Sequence, residues 1–394
     1  MITQRIDELT YADIERLVEQ RVPESRVLDY KRQLPGGTAD EVKELLADVT
    51  SFANASGGHL VFGVTTVKEN GKNTAIPEAI VGVGEINAEE VENRIDAQLR
   101  SCIQPRITGL RVKAIVETGK PTVFVIHIPR SWNAPHMVAK GSSKFYSRTS
   151  AGKQPLDVTE IRHAFAMSES VGERIRAFRD ERIGRILAGE TPEPLEDGAL
   201  LVFHFFPLSG FTGSELLDAK SLYEQTSGIL TFAQGGSRRH NFDGIVISSS
   251  QGTVPNDGYV QLFRNGAVEA VDTVYLRINN REGQPPSIPV FGFESASVDF
   301  CDSIYALQKR LGVAPPLCVF LSLLNVRGYA LPIGLLRGKT LIERKHLLLP
   351  NLLVEDIEVN ASSFLRPAFD MIWQAFGTNG SPSYDENGQW KKRG

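Results

Sequence analysis

Three residues near the start of the chain carry the types and spacing needed for phosphate chemistry: Glu24, Asp29 and Lys31, within Glu24-Ser-Arg-Val-Leu-Asp29-Tyr-Lys31. Side chains alternate along a strand, so Asp29 and Lys31 share a face if this segment is extended. A carboxylate of that kind ligates a hard divalent cation through oxygen, and the cation polarises a phosphate and acidifies a water. A lysine beside it adds positive charge where a phosphoryl transition state gathers negative charge. Glu24 joins the pair if the chain bends at Ser25. An acid and a lysine two apart equally fit a surface strand with an alternating ion pair, so these residues need a context.

A second group of candidates lies downstream. Between Thr118 and Leu156 there is no Asp or Glu, while Lys120, Arg130, Lys140, Lys144, Arg148 and Lys153 alternate with Trp132, Phe145 and Tyr146. Cations contact phosphates and aromatic rings stack on bases, so Arg130, Lys140, Lys144, Tyr146, Arg148 and Lys153 are the candidate nucleic-acid contacts. A solvated strand-and-loop face with buried aromatics fits the same composition.

The elements that must position these groups are legible in the periodicity. Residues 1–20 read as a short amphipathic helix capped by Asp7 or Thr10, with Ile14, Leu17 and Val18 on one stripe. Val22 to Leu34 reads as extended, closed by Pro35-Gly36-Gly37. Thr38 and Glu41 form a capping box, and Val42, Leu45, Leu46, Val49, Phe52 and Ala53 make one helical face. Asn54-Ala55-Ser56-Gly57-Gly58 ends that helix, and His59 to Val64 is a buried strand. Asn87 and Glu90 cap a helix to Cys102. Strands follow at Thr122–Ile128 and Lys144–Arg148, and a helix at Val158–Met167 after Asp157. The glycines at 57 and 58 suit a turn into the sheet or close approach to a ligand, and the turn is the simpler reading.

The order Glu24-Ser25, Asp29-Tyr30-Lys31, a helix, Ser51-Phe-Ala-Asn-Ala-Ser-Gly-Gly58 and a strand ending Gly63-Val64 resembles the Schlafen AlbA-type domain. It continues through Ile128-Pro-Arg-Ser-Trp132, Pro135-His136 and Lys144-Phe-Tyr-Ser-Arg148, and covers roughly residues 20–168. The resemblance implies an α/β (α+β) fold and nucleic acid, RNA or DNA, as partner. In nuclease members of that family the cleavage site resembles two acids of the first motif plus an Asp directly after the Gly-Val strand. Carried over, these fall on Glu24, Asp29 and Thr65 or Thr66. Threonine is a neutral ligand, and affinity for Mg²⁺ or Mn²⁺ depends on charged-ligand count. The departure favours a binding module over a metal-dependent endonuclease, unless Glu69 or Glu85 replaces the missing acid.

Two functions follow. The first is nucleic-acid binding, with a regulatory or defence-related role. The alternative is a Mg²⁺- or Mn²⁺-dependent endoribonuclease on structured RNA such as tRNA, in which Glu24 and Asp29 hold the metal and Lys31 assists catalysis. Vertebrate Schlafen cores resemble two such lobes facing each other around a groove, which implies a homodimer for a chain with one lobe.

The remaining expectations bound the rest. A chain of 394 residues with 41% hydrophobic and 23% charged content is an ordinary globular protein. Its net charge of −4 excludes a uniformly basic binder. No apolar run spans a bilayer, and the charged N-terminus is not a signal peptide. Cys102, Cys301 and Cys318 form neither a disulfide framework nor a zinc pattern, which points to the cytoplasm. The expected organisation is a 1–168 nucleic-acid-binding domain, a 169–196 charged helix and linker stiffened by Thr191-Pro-Glu-Pro194, a strand-rich mixed α/β domain over 197–377, and a disordered 378–394 tail. In the third segment Leu200–Phe206 reads as a strand, Tyr259–Phe263 and Ala267–Val271 as a hairpin about Asn265-Gly266, Val298–Leu311 as a helix, and Leu317–Leu324 as strand or helix. Gly334-Leu-Leu-Arg-Gly338-Lys339-Thr340 is one residue short of a phosphate-cradling loop, so no nucleotide cofactor is expected. His127, His136 and His163 lack partners at metal-ligand spacing. Gly235-Gly-Ser-Arg-Arg-His240 is the best ligand candidate of the C-terminal half.

Overall fold

The capping box at Thr38 forms as its sequence dictates. Glu41 Oε2 accepts from the Thr38 backbone at 3.1 Å, and the Glu41 N–H donates to Thr38 Oγ1 at 3.3 Å. The structure, a computed structural model, describes residues 2, 6–69, 72–84, 86–149, 152–212, 216–232, 235–248, 255–277, 285–313, 315–331, 341–355 and 359–391. The chain divides into two compact units, Met1–Ser170 and Val171–Gly394. The fold is mixed α/β in both, the class expected.

In the first unit the elements run α1 (Tyr11–Glu19), β1 (Leu28–Lys31), α2 (Ala39–Ala53), β2 (Gly58–Phe62), β3 (Val64–Glu69), β4 (Lys72–Ile80), α3 (Ala88–Cys102), β5 (Ile103–Gln104), β6 (Arg111–Ile115), β7 (Val123–Ile128), β8 (Met137–Val138), β9 (Lys144–Thr149) and β10 (Gly152–Pro155). One sheet has the order β1-β2-β7-β6, a second β10-β9-β8-β5, and β3 pairs with β4 as a hairpin. Strands β1 and β2 are parallel, with Asp29 beside Leu60 and Lys31 beside Phe62. The first sheet is apolar on both faces. Leu46, Val49 and Phe52 of α2 and Ile95 of α3 cover Leu60, Phe62, Phe124 and Ile126 on one side. Ile14 and Leu17 of α1 cover Tyr30, Val61 and Val125 on the other. Alternation therefore sends Leu28 and Tyr30 toward α1, and leaves Asp29 and Lys31 on the α2 side.

Several boundaries differ from expectation. The first helix is shorter than residues 1–20, because the Asp13 carboxylate takes the Thr10 N–H at 2.9 Å and hydroxyl at 2.7 Å and starts it there. Strand β1 is only four residues long, since the chain before it turns at Ser25, whose N–H donates to the Leu28 carbonyl at 2.8 Å. The last helix of the unit does not stop near residue 168. It continues as α4, Val158–Leu187, because no proline or capping signal interrupts it.

In the second unit the elements are β11 (Leu200–Pro207), α5 (Ala219–Gln225), β12 (Ser237–His240), β13 (Gly244–Ser248), β14 (Gly258–Phe263), β15 (Val268–Asp272), α6 (Val290–Arg310), β16 (Leu317–Leu324), β17 (Leu347–Leu348), β18 (Leu352–Val354) and α7 (Ala361–Gln374). All strand pairs are antiparallel in the order β12-β13-β14-β15-β11-β16-β17, with β18 also on β16. Leu317–Leu324 is thus a strand, and the Asn265-Gly266 hairpin forms between β14 and β15. Helices α6 and α7 bury one sheet face, and Val171, Ile175, Ile183 and Ile186 of α4 bury the other. Under α4 the fully buried Glu269 accepts from Arg182 Nε at 2.9 Å, Arg182 Nη2 at 2.8 Å and Tyr259 Oη at 2.7 Å, with His204 Nε2 at 3.1 Å. Burial alone would raise its pKa, but those partners hold it down at about 2.

The expectation of a disordered 378–394 tail is corrected over the residues described. Tyr384 is buried and donates to the Ser362 carbonyl, Trp390 meets it edge-on at 5.1 Å, and Ser383 hydrogen-bonds the buried Glu294. Polar composition misleads there because two aromatic rings and one buried acid anchor the segment. The Thr191–Pro194 stretch is likewise packed, with Glu193 buried and paired to Arg239 at 2.9 Å. The phosphate-loop-like stretch 334–340 lies outside the described residues.

Candidate nucleic-acid interface

Asp29 and Lys31 project from β1 toward α2 and meet a third residue there. Lys31 Nζ lies 3.1 Å from Asp29 Oδ2 and 3.1 Å from Asp48 Oδ2. Arg148 on β9 reaches Asp29 at 3.2 Å through Nη2, and its guanidinium covers the Phe52 ring at 4.3 Å. Lys153 on β10 lies 2.9 Å from Asp48 Oδ1 and also pairs with Glu44. The result is a chain of alternating charge: Arg148, Asp29, Lys31, Asp48, Lys153, Glu44. It ties β1, α2 and the second sheet together. Burial opposes ionisation of Asp29, but Lys31 and Arg148 outweigh it and hold its pKa below the usual carboxylate value.

Glu24 completes the cluster from the other end. Its Oε1 accepts from the Tyr30 N–H at 3.2 Å, and its carboxyl lies within reach of the Asp29 charge. Burial, then the charge of Asp29, push the Glu24 pKa up to about 7. Glu24, Asp29 and Lys31 are therefore brought together, as the motif implied.

This donor set does not fit a divalent cation as arranged. Both oxygens of Asp29 face cationic side chains, with Arg148 Nη2 toward Oδ1 and Lys31 toward Oδ2, and burial with the Asp29 charge raises the Glu24 pKa to about 7. Thr65 Oγ1 is committed to the Ala79 carbonyl at 3.2 Å within the β3–β4 hairpin. Glu69 lies at the far end of that hairpin, where its backbone is in register with residue 72, and Glu85 lies outside the described residues. Among the described residues no three His, Cys, Asp or Glu side chains converge as a metal group would need.

The acid-free strip separates into two kinds of cation. Arg148 and Lys153 are ion-paired within the cluster, and Lys120 is paired to Glu15 and Glu117. Lys140, on the turn joining β8 to β9, and Lys144, the first residue of β9, are exposed, and no ion pair engages either among the described residues. Arg130 stacks over Trp132 at 4.1 Å. Tyr146 is half-buried, with Oη 3.2 Å from Ser142 Oγ. Phe165 on α4 is half-exposed and packs edge-on against Phe145 at 6.1 Å.

The Phe-Ala-Asn and Gly-Gly signature serves the backbone. Asn54 Nδ2 donates to the carbonyls of His136 at 2.9 Å and Tyr146 at 2.8 Å, and its Oδ1 accepts from the His136 N–H at 2.7 Å. A Cβ on Gly57 would sit 2.4 Å from the Arg130 nitrogen, and one on Gly58 2.4 Å from the Val27 carbonyl oxygen. Those glycines admit neighbouring backbone, so the turn reading holds.

The histidines also have internal partners. His127 Nδ1 lies 3.0 Å from His59 Nε2, and His136 Nδ1 lies 2.7 Å from the Pro105 carbonyl. His163 is exposed on α4. In the C-terminal half, Arg238 and Arg239 of the basic turn bond the Tyr223 carbonyl and Glu193.

Sequence reasoning missed Asp48 and Glu44. A signal was present for Asp48. It stands at helical spacing between Leu45 and Phe52 on the apolar stripe, where an acid needs a buried counter-charge.

Residues 24–157 match the family model described as Schlafen, AlbA_2. That segment, sheets and ion-paired cluster included, is similar to the Schlafen AlbA_2 domain family. The N-terminal domain of an ATP-dependent DNA helicase RecG-related protein from Nitrosomonas europaea, solved by solution NMR, is similar at 21% identity, over 30% of this chain and 71% of that one, with a TM-score of 0.22. No curated protein matches the chain.

Proposed function

We propose that the N-terminal unit binds nucleic acid, RNA or DNA, through the β8–β10 sheet and its turn. The observation that carries this is the division of cations along the acid-free strip. Lys140 and Lys144 stand exposed on the turn before β9 and at its first residue, with no acid within that segment, while Arg148 and Lys153 hold the sheet against α2. Exposed cations, with the Arg130–Trp132 stack and the half-exposed Phe165 in the same unit, suit phosphate contact with base stacking. The AlbA_2 family match is consistent with the same reading. Lys140→Ala with Lys144→Ala is expected to weaken binding across sequences. It should lower the slope of log affinity against log salt by roughly 0.7–0.9 for each phosphate that is no longer neutralised. A slope in filter binding identical to wild type removes that turn from the interface.

Assembly and compartment extend this proposal. A homodimer would supply a second lobe and a facing wall for the nucleic acid, and light scattering with and without RNA reads it directly. Three free, buried cysteines suit a reducing compartment, and we place the protein in the cytoplasm. Among the described residues, no helix is long and apolar enough to cross a membrane.

A further inference from the structure

The Asp48 carboxylate bridges two lysines from two different sheets. Its Oδ2 lies 3.1 Å from Lys31 Nζ and its Oδ1 2.9 Å from Lys153 Nζ. Asp48 is 3% exposed, whereas the side chains of Lys31 and Lys153 keep 33% and 20% of their surface. The anion is thus inside and the cations open outward. Two ammonium groups converging on the two oxygens of one anion is also how the non-bridging oxygens of a phosphodiester are held. Glu44, one helical turn earlier, pairs with the outer side of Lys153, and its own side chain is 63% exposed. Lys153 therefore faces two carboxylates, the buried Asp48 on its inner side and the exposed Glu44 on its outer side.

We propose that Asp48 and Glu44 are internal counter-anions occupying a phosphate seat formed by Lys31 and Lys153. A nucleic-acid phosphate binds there by displacing Glu44 from Lys153 and sharing both lysines with Asp48. This rests on the nucleic-acid reading above and adds a second contact, distinct from the Lys140–Lys144 turn. The affinity of the domain is then held down by its own acids. Removing an acid strengthens binding, the reverse of what a purely structural ion pair would give.

The test uses the full chain and a fluorescently labelled RNA hairpin, titrated by anisotropy over a range of salt. Glu44→Gln is expected to tighten binding about threefold and Asp48→Asn on the order of tenfold, because like charge facing the ligand is removed. Asp48→Asn should also steepen the salt slope by roughly 0.7–0.9, one further phosphate. Adding Lys153→Ala to Asp48→Asn should cancel the gain. If wild type binds and both single variants, shown folded by circular dichroism, bind with unchanged affinity and slope, the seat is overturned while the nucleic-acid reading stands. If Asp48→Asn does not fold, the exposed Glu44→Gln decides alone, and no tightening overturns the proposal. If no form binds at low salt, both the seat and the underlying reading fall.

Discussion

Arg148 and Asp29 meet across 119 residues of chain, with Nη2 3.2 Å from Oδ1 and both side chains 8% exposed. The pair joins the first strand of one sheet to the middle of the other. Phe52 of α2 lies under the guanidinium, so three elements are fixed at one point.

Breaking that pair from one side leaves a buried charge uncompensated. Asp29→Asn is expected to cost the N-terminal unit about 3 kcal/mol in urea or thermal unfolding. The double variant Asp29→Asn with Arg148→Met should lose less than the two single losses added together, because no unpaired guanidinium remains. Simple additivity would show that the two residues do not act as a pair.

Asn54 makes three hydrogen bonds to backbone groups that have little access to water. Asn54→Ala strands those groups, and each buried unsatisfied group costs about 1–3 kcal/mol. The domain is therefore expected to lose roughly 2–4 kcal/mol while keeping its helix content at low temperature. A melting point equal to wild type would mean that the segment around His136 and Tyr146 finds other partners.

The raised pKa of Glu24, caused by burial and the Asp29 charge, makes stability depend on pH. The folded pKa, about 7, lies above the ordinary value of 4.5, so the protonated form is the one folding favours. Its contribution is fully present below about pH 4.5 and is lost as pH rises through about 7. Glu24→Gln, permanently uncharged, should match wild type at the acidic end of that window and melt higher than wild type above it. Parallel melting curves across the window would sink this account.

Manganese or magnesium should leave the melting temperature of wild type unchanged at millimolar concentration, because the Asp29 oxygens are already engaged by Arg148 and Lys31. A labelled-tRNA time course with either metal is expected to show no cleavage beyond a chelator control. Metal-dependent cleavage that vanishes in Asp29→Asn would establish the endonuclease reading in place of simple binding.

The sequence by itself determined what depends on neighbours in the chain. Thr38 and Glu41 are three apart, so the capping box and the apolar face of α2 were readable. Asn265-Gly266 set the β14–β15 hairpin, and Glu24, Asp29 and Lys31 lie close enough for a turn and a strand to join them. Tertiary structure alone decided the partners of those groups. Lys153 and Asp48 are far apart in sequence, and whether a lysine meets a phosphate or an internal carboxylate depends on which helix packs over its strand. The same holds for the tail, where Tyr384 and Trp390 fold back because α7 offers an apolar surface that the local composition does not reveal. Ion pairs carry no periodicity, and a cation reads alike in sequence whether it is exposed, as Lys144 is, or enclosed, as Arg148 is.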